Sequence, residues 1–158
     1  MKIQEITQVE AKSQITEQIL HSLSDWFELE DGIQNYITGV QDKPFFVVMQ
    51  EDHPVGFLSL QDHNQYTSEI YVMGVLPQYH RQGIGRQLVE HAQKYMAQHG
   101  CKFLFIKTLA EIVDDPFYAK TRQFYEAMGF LPLFITTKIW GPDNPCLIMI
   151  QEVCPNSL

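Results

Sequence analysis

The sequence predicts an α/β fold of the α+β kind, a mixed sheet with helices on its faces, and three observations carry that prediction. Short apolar runs of strand length alternate with stretches whose apolar residues recur at helical spacing. The run Thr67–Val75 is followed by a helical stretch and then by another apolar run, and strand–helix–strand in one sheet implies a parallel crossover. The last two apolar runs are separated by a turn-rich loop, as in an antiparallel pair. The order along the chain is β-α-α-β-β-β-α-β-α-β-β, within a single domain spanning residues 1–158.

Lys2–Val9 reads as the first strand. A helix over about Ala11–Ser24 follows, with Ile15, Ile19, Leu20 and Leu23 on one stripe. Ser24–Asp31 interrupts it and carries Trp26 and Phe27. A shorter helix then presents Ile33, Tyr36, Ile37 and Val40, and Asp42-Lys43-Pro44 ends it. Phe45–Gln50 and Val55–Leu60 flank Glu51-Asp52-His53-Pro54 as a hairpin, and Thr67–Val75 is the next strand. From about Gly83 to His99, Ile84, Leu88, Ala92 and Met96 repeat every four residues, Glu90 and Lys94 form an i,i+4 pair, and Gly100 sits just past the end. Lys102–Leu109 is a strand and Phe117–Met128 a helix stopped by Gly129. Leu133–Trp140 and Cys146–Val153 close the sheet around the loop Trp140–Pro145.

Bulk composition narrows the function. A chain of 158 residues with 45% hydrophobic and 19% charged residues builds one real core and is not disordered. A net charge of -8 argues against nucleic-acid binding, which needs a basic face. Cys101, Cys146 and Cys154 give neither a disulfide framework nor metal-ligand spacing, and the six histidines are scattered, so no metal is expected. No signal peptide opens the sequence and no apolar run is long enough for a bilayer; reduced thiols in a cytoplasmic protein without membrane contact are expected. A homodimer is compatible with the sequence.

The most informative stretch runs from Ser68 to Val89: strand, turn, glycine loop, helix. Such a junction converges backbone N–H groups on one spot, and the helix N-terminus adds partial positive charge. Arg81 and Arg86 beside it suit a pyrophosphate. The loop lacks the Gly-Lys-Ser/Thr of a P-loop and the three-glycine dinucleotide fingerprint.

His80-Arg81-Gln82-Gly83-Ile84-Gly85 resembles the acyl-CoA loop of the GNAT superfamily of N-acetyltransferases, usually Arg/Gln-x-x-Gly-x-Gly/Ala, with His80 departing at the first place. Thr121–Phe130 resembles a second element of that family, a helical tyrosine followed by Gly-Phe. The element order matches from end to end. The resemblance implies acetyl-CoA as co-substrate and transfer of acetyl to a primary amine, of a small molecule or of a peptide or protein, by direct attack in a ternary complex. His80, Arg81, Gln82, Gly83, Ile84, Gly85 and Arg86 would hold the pyrophosphate. Met73 N–H would meet the developing oxyanion and Val75 the pantetheine amides. Gly74 between them reads either as a packing glycine or as a bulge that frees those groups. Where the family often places an asparagine on the pantetheine arm, this chain has Tyr118. Trp26 and Phe27 fall in the region that lines the family's acceptor pocket.

Acetyl transfer to an amine needs a deprotonated amine, a donor for the oxyanion and charge relief for the thiolate. Tyr125 is the candidate acid: a phenol (pKa ~10) keeps its proton at neutral pH and can serve a thiolate whose own pKa is ~8.5. Glu69, at the head of the strand leading to the loop, is the candidate base. Outside this class, the alternatives are an acyl-CoA-binding sensor or scaffold without turnover, which would need neither Tyr125 nor Glu69, and a nucleotide-binding α/β protein.

Overall fold

The computed structural model describes residues 1–153, so Cys154 lies outside the described residues. The elements are β1 Lys2–Glu5, α1 Val9–His21, α2 Glu30–Gly39, β2 Phe45–Gln50, β3 His53–Asp62, β4 Thr67–Val75, α3 Ile84–Gln98, β5 Phe103–Leu109, α4 Pro116–Ala127, β6 Leu131–Thr136 and β7 Cys146–Glu152. Single 3-10 turns cover Val40–Asp42 and Pro77–Tyr79. The predicted order holds throughout. The sheet runs β1-β2-β3-β4-β5-β7-β6, and every pairing is antiparallel except β4–β5, the crossover that α3 makes.

Two helical layers cover the two faces. On one, α3 and α4 bury Ile84, Leu88, Ala92, Met96 and Tyr125 with Phe46, Leu58, Leu60, Ile106 and Phe130. On the other, α1 and α2 bury Ile19, Leu20, Leu23 and Ile33 with Phe45, Val47, Phe57 and Val72. Each large apolar side chain withdrawn this fully contributes about 1.5–3 kcal/mol against the cost of ordering the chain. Among the described residues no helix is long and apolar enough to cross a membrane.

Some local expectations give way. The first strand stops at Glu5, because α1 already begins at Val9. The sixth strand occupies Leu131–Thr136 rather than Leu133–Trp140: Lys138 N–H donates to Thr136 Oγ1 at 3.2 Å and turns the chain out of the sheet. Glu90 pairs with Arg86, at 3.8 Å, rather than with Lys94. The β2–β3 hairpin is tighter than its four-residue loop suggested. Gln50 lies opposite His53, with both Glu51 and Asp52 at positive φ, as in a two-residue primed turn.

Two departures from regularity shape the middle of the sheet. β4 and β5 pair only at Thr67↔Phe103, Ser68↔Leu104 and Glu69↔Phe105, and beyond Glu69 the strands part. Between Leu60↔Ile70 and Ser59↔Val72 the register of β3 and β4 slips, so Tyr71 is the extra residue of a bulge. A bulge bends its strand and strengthens its twist, which turns the C-terminal half of β4 away from β5. The bulge is thus at Tyr71 and not at Gly74, which lies in regular register opposite Phe57. Gly74 is the packing glycine of the alternative reading: a Cβ there would stand 2.9 Å from Leu23 Cδ1 and 3.1 Å from Ile19 Cγ2. Gly74→Ala should lower stability by about 1–3 kcal/mol by pushing α1 off the sheet. Urea unfolding measures it, and an unchanged midpoint would show that α1 yields freely.

Candidate active site

The parting of β4 from β5 opens a cleft of about 960 Å³. Its walls come from the α1–α2 connection, β4, the loop and first turn of α3, β5, α4, and Trp140 on the β6–β7 loop. Of the residues expected at the site, Trp26, Phe27, Met73, Gly74, Val75, His80, Arg81, Gly83, Ile84, Gly85, Arg86, Tyr118 and Tyr125 line it. Gln82 and Glu69 are not among the lining residues. Gln82 turns back to donate to the Gln78 carbonyl at 3.3 Å.

Strand geometry decides which backbone groups face the gap. Leu76 N–H donates to the Val55 carbonyl of β3 at 2.9 Å. Hydrogen-bonding direction alternates along an antiparallel strand, so Val72 and Gly74, two and four residues earlier, also turn toward β3. Met73 and Val75 then point their N–H groups the other way, into the space β5 has vacated. On the opposite wall, Ala110 N–H donates to the Pro145 carbonyl and Val153 N–H to the Lys102 carbonyl, at 2.9 and 2.7 Å. The same alternation sends Lys107 N–H toward β4.

At one end of the cleft stands the N-terminus of α3. Gly83, with φ at +80°, is its N-cap; no side chain caps it and no acidic residue sits in the first turn. The first intrahelical bond is Gln87 N–H to the Gly83 carbonyl at 3.0 Å, so the N–H groups of Ile84, Gly85 and Arg86 lack partners within the helix. Arg81, also at positive φ (62°), and Arg86 flank them. A Cβ on Gly85 would press on the Phe124 ring at 3.1 Å, so glycine lets α4 close over this turn. These groups fit a pyrophosphate. His80, the departure from the usual loop, has a structural job: its Nε2 donates to the Val75 carbonyl at 2.7 Å and ties the loop to the end of β4.

The α1–α2 connection crosses above this cleft. Trp26 Nε1 donates to Thr121 Oγ1 at 3.1 Å and to the Phe117 carbonyl at 3.3 Å, and Tyr118 Oη donates to the Trp26 carbonyl at 2.9 Å. Its ring meets His80 and Phe117 edge-on, with centroids 5.8 and 5.1 Å apart. Asp115 fixes the start of α4 by accepting from Phe117 N–H at 2.9 Å and Tyr118 N–H at 3.2 Å. Behind Trp26, Phe27, Tyr36 and Tyr71 form an edge-to-face chain, with centroids 5.8 and 5.3 Å apart. Tyr71 reaches this face through the bulge, which sequence alternation gave no means of foreseeing.

Tyr125 is buried, touches Phe124 and Phe130 edge-on, and lines the cleft. Burial pushes its phenol well above the ordinary tyrosine range. Burial also pushes Tyr36 up to about 12, with the charges of Tyr71, Tyr118 and Glu69 adding to it, and raises Tyr118, with Asp115 and Glu28 adding to it. Glu69 is 5% exposed and held from two sides: His63 Nε2 lies 2.8 Å from Oε1 and Lys107 Nζ 3.3 Å from Oε2. Lys107, not Glu69, faces the cleft. Among the described residues no group of three His, Cys, Asp or Glu side chains is arranged to hold a metal ion.

Comparison with known proteins places this geometry. Residues 7–130 match the sequence model of the acetyltransferase (GNAT) family. The chain is 26% identical over 121 residues to an uncharacterized N-acetyltransferase of Chlorobaculum tepidum, covering 75% of this chain and 70% of that protein. In fold it is similar to a GNAT-family acetyltransferase from Desulfovibrio desulfuricans, with a TM-score of 0.81, 19% identity and coverage of 97% and 100% of the two chains. It is also similar to an aminoglycoside 6'-N-acetyltransferase crystallised with coenzyme A, with a TM-score of 0.79, 17% identity and 98% of each chain covered. A glycine loop opening α3, a parted β4–β5 pair and a tyrosine in the cleft occur here on a chain whose sequence matches that family over most of its length: the protein is an acyltransferase and belongs to the GNAT family of acetyltransferases.

Proposed function

We propose that the protein transfers acetyl from acetyl-CoA to a primary amine by direct attack, both substrates being bound in the one cleft. The observation that carries this reading is the parted β4–β5 pair, with Met73 and Val75 N–H groups turned into the gap and an uncapped helix N-terminus at one end. The bound thioester supplies the acyl group and a thiol leaving group. Ile84, Gly85 and Arg86 N–H groups, with the side chains of Arg81 and Arg86, would hold the pyrophosphate. Val75 N–H would take an amide of the arm, and Met73 N–H would stabilise charge developing on the carbonyl oxygen. Tyr125 would hold a proton at its phenol oxygen for the departing sulfur. Tyr118 stands where an asparagine is common; its hydroxyl holds the Trp26 carbonyl instead and would roof the arm. The acceptor, a small-molecule, peptide or protein amine, would lie against Trp26, Phe27, Tyr36, Tyr71 and Trp140, an aromatic wall suited to an amine on an apolar body.

Release of free thiol from acetyl-CoA over a panel of primary amines tests the reading, alongside direct binding of CoA. Saturable CoA binding with no thiol release on any amine would leave a binding module in its place.

Glu69 would serve as base only through an intervening water, since its ion-pair partner Lys107 lines the cleft and Glu69 does not. Glu69→Gln separates two roles. Loss of a base moves the acidic limb of the kcat/KM profile. Loss of the anchor for Lys107 lowers kcat/KM at every pH, by about tenfold, and leaves the limb in place. We expect the limb to move; a uniform drop would remove Glu69 from the chemistry.

A further inference from the structure

We propose that the Thr108 hydroxyl is a binding contact for an amide of the acyl-CoA arm, an inference that rests on the acetyl-CoA reading and adds a side chain to it. Thr108 is 2% exposed, and its Oγ1 has no hydrogen-bond partner among the described residues. Buried hydroxyls are nearly always paired, because an unpaired one keeps the whole cost of losing water. The other such atom among the described residues, Gln50 Oε1, sits beside the β2–β3 turn, away from the cleft. Thr108 lines the cleft itself.

Its place in β5 says what it would meet. Thr108 pairs with Leu147 of β7 on one flank, while on the other flank β4 has already departed. Side chains alternate along the strand, so Thr108 shares a face with Leu104 and Ile106, both in the core that also holds Tyr125. The hydroxyl is therefore on the Tyr125 side of the gap, opposite the wall from which Val75 N–H projects. Val75 offers a donor, and an arm lying between the strands would turn other polar groups toward β5. Rotation about χ1 exchanges the threonine hydroxyl and methyl positions at nearly constant volume, so the oxygen can be presented without moving the strand. Valine would fill the same space with better strand propensity and no orphaned oxygen.

The test uses Thr108→Val and Thr108→Ser with CoA as the probe, read by calorimetric titration and by thermal unfolding with and without CoA. Thr108→Val should leave the Tm of the free protein equal or higher, since it removes an unpaired buried oxygen. It should raise the Kd for CoA by about fivefold to tenfold and shrink the CoA-induced rise in Tm accordingly. Thr108→Ser should keep the Kd within about twofold. An unchanged Kd in Thr108→Val overturns the proposal and leaves the acetyl-CoA reading intact. So does a marked fall in the Tm of the free variant, which would mean that the hydroxyl already has a structural partner. Failure of the wild-type protein to bind CoA removes both.

Discussion

Replacing Tyr125 by phenylalanine is expected to lower kcat for acetyl transfer by about 10²–10³-fold while changing the Kd for CoA by less than about threefold. The ring is what the fold uses: it packs edge-on against Phe124 and Phe130, and phenylalanine keeps both contacts. The hydroxyl opens on the cleft rather than being a buried unpaired atom, so removing it leaves no partner stranded, and the Tm should hold. What disappears is the proton that the proposed mechanism assigns to the departing sulfur. The raised pKa bears on how the proton is delivered. A phenol above its ordinary value is a weak acid, and full transfer to a thiolate in water would run uphill. The desolvation that raises the phenol raises the sulfur's proton affinity as well, so the gap between them widens by less than the phenol's own shift. The same shift fixes the pH behaviour. Tyr125 stays protonated to well above its ordinary range, so kcat should show no alkaline limb belonging to it below about pH 10. Retention of kcat within about fivefold in the phenylalanine variant would show that sulfur leaves without this acid.

Much of the lining of this cleft is legible in the sequence, and the reasons are local. Gly83 and Gly85 are required by a positive φ and by the approach of Phe124, and both lie within a few residues of the helix they start. The element order follows from hydrophobic period, which is also local. What sequence could not show depends on non-local contacts. The slip that makes Tyr71 a bulge is a relation between two strands, and no residue in β4 announces it. Gly74 lies in the right neighbourhood, but its missing side chain admits Leu23 and Ile19 and the bulge is at Tyr71. Trp26 reaches Thr121 across 95 positions, so its link to α4 had no signature in either segment. Glu69 reads in sequence as a strand carboxylate near the loop. Only the parallel pairing with β5 sets Lys107, which lines the cleft, against it.

The tyrosines impose a second large effect, on stability at high pH. In the unfolded chain each phenol ionises near ~10. In the folded protein burial holds Tyr36 up to about 12 and Tyr125 higher still, and also raises Tyr71, Tyr95 and Tyr118. Below pH ~10 both states carry these protons and stability is indifferent to them. Above it the unfolded state gives them up while the folded state keeps them. The unfolded state then binds fewer protons, and stability must fall as pH rises. Each fully retained proton contributes a slope of about 1.4 kcal/mol per pH unit, so Tyr36 and Tyr125 together give roughly twice that. Over about two pH units that is roughly 5 kcal/mol, comparable to the whole stability of many domains of this size. The decline should start near pH ~10 and continue until the folded phenols themselves ionise. Urea midpoints between about pH 8 and 12, with phenolate absorbance followed in parallel, measure it. Tyr36→Phe isolates one contribution: its slope should be shallower than wild type by about 1.4 kcal/mol per pH unit. A wild-type midpoint that stays level past pH ~11 would mean that these phenols reach solvent in the folded protein. A cleft so hydrated would also make Tyr125 an ordinary phenol, and the acid assigned to it would then owe nothing to burial.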